Sequence, residues 1–126
     1  MKITTQYGRW LDTQKWDYFI RVRKPYRFSR RSVQNLFSRI KKEELKKDFP
    51  QKIFIVGERD SGDKRNYHLH LLMDANHIQR TSFMKRFFGD TDEVEELPRT
   101  EGAEYYITKF IDKDIEYDFF INNYKK

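Results

Sequence analysis

The chain has 126 residues, no cysteine and a formal net charge of +6. That length suits one compact domain with a core of its own, and the absence of thiols excludes disulfides, thiolate metal sites and cysteine nucleophiles. No apolar run approaches the roughly 20 residues of a membrane span and no signal-peptide core follows Met1, so the expectation is a soluble, intracellular protein with no membrane partner.

In chain order, residues 16–22 (Trp-Asp-Tyr-Phe-Ile-Arg-Val) predict a strand of aromatic and β-branched residues that Pro25 ends. Ser29 or Ser32 is placed to cap a helix whose apolar positions Val33, Leu36, Phe37 and Ile40 recur three and four apart. This helix frays in the Lys/Glu run before Pro50. Residues 52–58 (Lys-Ile-Phe-Ile-Val-Gly-Glu) predict a second strand, and 67–73 (Tyr-His-Leu-His-Leu-Leu-Met) a third. The polar stretch 59–66 between them, with Ser61-Gly62-Asp63, predicts the turn of an antiparallel hairpin. A short helix is expected over 81–88, ended by Gly89, then a short edge strand over 94–97 and a helix over 102–112. Residues 115–121 fit either a strand or a last helical turn. Together these elements predict an α+β domain, an antiparallel sheet with helices packed on it.

Charge is unevenly placed. Residues 1–50 hold 14 Lys or Arg against 5 Asp or Glu, whereas residues 51–126 hold 12 against 15. The cations Arg21, Arg23, Lys24, Arg27, Arg30 and Arg31 interleave with Tyr18, Phe19, Tyr26 and Phe28. Cations neutralise phosphates and aromatic rings stack on unpaired bases, so this segment points to nucleic acid. The lysines from 41 to 47 read instead as a solvated helix face, and the acidic stretch 90–96 as a solvated loop that steers DNA toward the basic side.

His68 and His70 stand two apart, so on a strand both point to one face while Leu69 and Leu71 point to the other. Two imidazoles on one strand face can chelate a divalent metal, and a third ligand is then expected. Glu58 is the natural choice, because an antiparallel hairpin returns the end of the second strand to the start of the third. Strand register decides whether it meets the histidines. Asp60 and Asp63 are loop-borne alternatives, and His77 reads as a loop residue. Imidazoles suit zinc, nickel or manganese, while a carboxylate favours harder ions.

On the helix expected over 102–112, Ala103, Ile107, Phe110 and Ile111 form the core stripe, and Tyr106 lies at its edge with Lys109 and Lys113 on the same flank. A phenol of pKa about 10 is a poor nucleophile at neutral pH, and neighbouring ammonium groups favour its phenolate. Combined with the histidine pair, Tyr106 implies phosphoryl transfer by tyrosine attack on a phosphodiester.

His68-Leu69-His70, Glu58 and Tyr106-Ile107-Thr108-Lys109, in this order, resemble the HUH endonucleases, in particular the rolling-circle replication initiators (Rep proteins) of small viruses and plasmids. The resemblance covers residues 16–113. It implies a five-stranded antiparallel sheet flanked by helices, a Rep-like nuclease fold over residues 1–126, with magnesium or manganese held by Glu58, His68 and His70. It further implies Tyr106 as the nucleophile that nicks single-stranded DNA at a replication origin and stays joined to the 5′-phosphate, with Lys109 supporting the charge. Arg21, Arg23, Lys24, Arg30, Arg31 and Lys113 are the expected DNA contacts. The first strand, Phe19-Ile20-Arg21-Val22-Arg23, departs from the threonine-containing strand typical of the family. No Gly-rich ATP-binding loop follows, so a fused helicase is not expected and unwinding falls to host or viral helicase and polymerase partners; a homodimer stays open. Tyr105 adjoins the nucleophile position. The alternatives are a single-strand HUH transposase, separated by its DNA target, and a non-catalytic single-stranded nucleic-acid-binding protein.

Overall fold

The computed structural model describes residues 4–97 and 115–122. Its elements are α1 (Thr5–Thr13), β1 (Tyr18–Arg23), α2 (Arg30–Lys41), β2 (Lys52–Arg59), β3 (Tyr67–Asp74), α3 (His77–Phe87), β4 (Glu93–Glu96) and β5 (Glu116–Ile121). The strands form one five-stranded sheet in the order β4-β1-β3-β2-β5, antiparallel throughout. The expected α+β class and the hairpin of β2 and β3 are both present.

Alternation along each strand divides the side chains between two faces. Ile20 and Val22 of β1, Ile53 and Ile55 of β2, Leu69, Leu71 and Met73 of β3 and Phe120 of β5 join Val33, Leu36, Phe37 and Ile40 of α2 and Phe83 and Phe87 of α3 in the larger core. The opposite face carries a smaller cluster of Leu11, Phe19, Phe54, Val56, Leu72 and Ile115, with Trp16, Tyr117 and Phe119 packed against it. β3 is therefore buried on both faces, which explains its near-continuous apolar run. At Gly57 the fit is close: a Cβ there would stand 2.9 Å from Val33 Cγ1, so only glycine lets α2 settle on β2 at this depth.

Local chemistry sets the boundaries. The Ser29 side chain accepts the Ser32 N–H and caps α2, which ends at Lys41 before the remaining lysines. α3 begins four residues earlier than its apolar pattern predicts, because Asn76 and Gln79 form a reciprocal capping box. His77 is thus the first residue of a helix and not a loop residue. The ambiguous segment after residue 114 is a strand: Phe120 packs on Phe37 of α2 at 6.2 Å while Phe119 turns to Trp10 at 4.9 Å on the other face. α1 has no counterpart among the predicted elements.

The acidic stretch is a correction. It forms the edge strand β4 and its approach, where Asp92 pairs with Lys24, Glu95 with Arg21 and Glu96 with Arg80. Asp92, Glu95 and Glu96 thus face cations, while the strand itself is exposed along its length, so the expected solvation is present and the loop conformation is what the structure corrects. The helix expected over 102–112 lies outside the described residues. No helix among the described residues is long and apolar enough to cross a membrane.

Candidate metal centre

The site is built on the face that carries the smaller apolar cluster, at the hairpin end of the sheet. Register places Glu58 directly opposite His68 and Val56 opposite His70. Glu58 Oε2 lies 3.0 Å from His68 Nε2 and 3.3 Å from His70 Nε2. The two imidazole rings stand 5.0 Å apart, centre to centre. One donor atom from each of the three residues lies within 4.8 Å of the others, and this is the one such group among the described residues. His68 and His70 are buried, at 7% and 2% exposure.

The donor set fits a divalent ion. Two donors about 2.1 Å from one ion stand about 3.0 Å apart in an octahedral arrangement and about 3.4 Å apart in a tetrahedral one. The two measured separations from Glu58 fall in that range. Two imidazoles and a carboxylate are donors of intermediate hardness, which admits several first-row metals as well as magnesium.

Asp60 is the residue whose role the sequence leaves open. It is not a member of the three-residue donor group; its Oδ1 lies 2.6 Å from His68 Nδ1 on the far side of the ring. An ionised carboxylate only accepts, so it holds the proton on Nδ1 and leaves the Nε2 lone pair directed at Glu58 and His70. Arg23 donates to Asp60 Oδ1 at 3.0 Å and Asn66 donates to Oδ2 at 2.6 Å. Burial pushes the Asp60 carboxyl up, but the hydrogen bonds from His68, Asn66 and Arg23 outweigh it and hold the pKa below the ordinary aspartate value. The Asn66 side-chain oxygen accepts the Phe28 N–H at 2.6 Å, which ties this network to the chain that enters α2. Asp63, the other loop carboxylate, turns to the Arg65 N–H and to Arg27.

Arg21 and Arg23 line the open groove over the histidines together with Leu97 and the loop residues Ser61 and Gly62. Arg21 is paired across the strand with Glu95 and Arg23 with Asp60. Lys24 lies elsewhere: it is enclosed in an ion pair with Asp92 and sits over the rings of Phe28 and Phe88 at 5.7 and 5.2 Å. Arg30 and Arg31 open α2, on the other side of the hairpin. Tyr106, its neighbour Tyr105, Lys109 and Lys113 lie outside the described residues.

Comparison with family models, curated proteins and solved structures finds no match for this chain. The geometry above therefore carries the functional argument by itself. Around the described segments, the chain leaves at Leu97, in the groove, and re-enters at Ile115, in the apolar cluster on the same face.

Proposed function

We propose that this chain is a metal-dependent enzyme of the HUH type that nicks and rejoins single-stranded DNA through a covalent phosphotyrosine, as a rolling-circle replication initiator does. The observation that carries this reading is the convergence of Glu58, His68 and His70 on one sheet face, at hydrogen-bond to ion-pair distances, from the two strands of one hairpin. Magnesium or manganese held by these three side chains would supply Lewis-acid polarisation of the scissile phosphate.

The chain's own residues supply the rest. Asp60 fixes the tautomer and the angle of His68. Arg21 and Arg23 place guanidinium groups at the groove, where fork-shaped donors suit phosphate oxygens. The Tyr106 phenol is the nucleophile: its oxygen bonds to phosphorus, the bond to the 3′-oxygen breaks, the phenolic proton leaves and the departing 3′-oxygen takes one up. Lys109 and Lys113 favour the phenolate by their charge. The reverse attack by a 3′-hydroxyl rejoins strands, and no ATP is consumed because the phosphotyrosine keeps the bond energy. The partners that follow from this reading are an origin sequence in single-stranded DNA, a helicase and a polymerase.

The test incubates the protein with manganese and a set of labelled single-stranded oligonucleotides and resolves the products on a denaturing gel. A covalent protein–DNA band that is lost in Tyr106→Phe and in His68→Ala is expected. A band that survives Tyr106→Phe and is lost in Tyr105→Phe would reassign the nucleophile. No cleavage on any sequence would refute the enzyme reading.

A further inference from the structure

Behind the hairpin, on the α2 side of the sheet, lies a second depression of about 420 Å³ that the metal site does not use. It is lined by Arg27, which precedes α2, by Arg30 and Arg31 from the first turn of α2 and by Arg59, Lys64 and Arg65 from the hairpin. Six cations meet there, and the carboxylates that pair with them among the described residues are Asp63 and Glu116. Arg31, Lys64 and Arg65 are exposed, so their cationic groups are open to a ligand.

Two features argue that this charge is more than a solvated surface. Arg30 and Arg31 occupy the first turn of α2, which contains no acidic residue. Cations at that end of a helix oppose its dipole, at roughly 0.3–1 kcal/mol each, and a local rule broken twice at one place is expected at a functional surface. The second feature is rigidity. Phe28 is bonded to the hairpin through its N–H to Asn66 and its carbonyl to the Tyr67 N–H, so the two halves of the depression belong to one framework. Arg59 lines both this depression and the metal groove, so the two meet at the hairpin. The exposed ring of Tyr26, held edge-on by Phe28 at 6.5 Å, stands next to Arg27.

We propose that this depression holds the backbone phosphates of the DNA strand after it leaves the metal groove, so that a bound strand bends round the hairpin and is gripped on both faces of the sheet. The identity of the strand rests on the single-stranded DNA reading above. Arginine forks and a lysine bind successive phosphates without reading sequence, and Tyr26 offers a stacking surface to a base. The groove therefore supplies affinity and direction of exit, while sequence is read elsewhere.

The experiment compares the full-length protein with Arg31→Ala/Lys64→Ala/Arg65→Ala, three exposed positions, by fluorescence anisotropy on labelled single-stranded oligonucleotides of increasing length over a range of salt. Unchanged circular dichroism and thermal midpoint verify the fold, and a second variant, Lys64→Glu/Arg65→Glu, confines the change to the hairpin. Loss of three phosphate contacts should flatten the plot of log K against log salt by about 2 and weaken long oligonucleotides at least about tenfold near 0.1 M salt. Equal binding and equal slope in wild type and both variants would overturn the groove and leave the catalytic reading intact. Conversely, slope loss in the variants without manganese-dependent cleavage by the wild type would refute the catalytic reading and keep the groove. Preference for duplex DNA, or equal variant-sensitive binding to anionic phospholipid vesicles, would overturn the single-strand assignment.

Discussion

Removing the Asp60 carboxylate should weaken metal binding without removing a ligand. In Asp60→Ala the ring nitrogen Nδ1 of His68 loses its acceptor at 2.6 Å, and the donors from Asn66 and Arg23, at 2.6 and 3.0 Å, lose theirs. His68 is then free to change tautomer or rotate, and either change turns the Nε2 lone pair away from Glu58 and His70. Loss of such an outer partner weakens metal affinity by about 10–100-fold, which corresponds to about 1.4–2.7 kcal/mol. The metal-free protein should also lose stability by roughly 1–3 kcal/mol, because partly buried donors are left without a partner. Asp60→Asn keeps one accepting oxygen but no charge and should fall between the two. Isothermal titration with manganese, alongside thermal melts with and without metal, separates the effects. If Asp60→Ala melts at a lower temperature yet binds manganese as tightly as wild type, Asp60 holds the loop and does not orient His68.

Three further outcomes follow from the packing. Gly57→Ala should destabilise by about 1–3 kcal/mol through overpacking against Val33, whose Cγ1 lies 2.9 Å from the added carbon, and adding Val33→Ala should recover part of that loss in a chemical-denaturation double-mutant cycle. Lys24→Ala should cost about 1–3 kcal/mol by leaving the largely enclosed Asp92 carboxylate without its charge partner and with the Gly89 N–H as its remaining donor, a loss seen in a urea titration. Burial and the neighbouring Asp17 carboxyl raise the pKa of Asp74. A raised acid pKa means that the folded state prefers the proton, so the ionised form at neutral pH strains the fold. Asp74→Asn should therefore melt higher than wild type at pH 7, with the gap closing as pH falls through the raised value toward that of an ordinary aspartate; a gap that widens on acidification would reverse the assignment.

Much of this architecture is legible in the amino-acid order, and where it is not the reasons are physical. The strands of the hairpin and the core face of α2 follow directly from periodicity, because burial enforces it: Val33, Leu36, Phe37 and Ile40 are all enclosed. The pairing of Glu58 with the histidines needs a register that alternation alone leaves open, and the eight-residue match from Lys52↔Asp74 to Arg59↔Tyr67 supplies it. α1 escaped because Gly8 interrupts it and much of its sequence is polar. The early start of α3 is a matter of capping by Asn76, which apolar spacing does not report. Asp60 and the acidic edge strand show a further limit. Which carboxylate faces which cation depends on neighbours far apart in sequence, as with Arg21 and Glu95 or Lys24 and Asp92. Charge runs therefore overstate the freely available positive surface along β1, while the hairpin cations Lys64 and Arg65 gain their meaning only beside Arg27, Arg30 and Arg31.

The central claim is that Glu58, His68 and His70 act together as a metal centre. Electron paramagnetic resonance of the protein titrated with manganese measures this directly, since spin-echo modulation reports nitrogen bound to the ion. One manganese per chain with imidazole nitrogen coupling is expected, the coupling reduced in His68→Ala or His70→Ala and the bound ion lost when both are replaced. Manganese that binds without nitrogen coupling, or that binds the double variant as it binds wild type, would contradict the assignment.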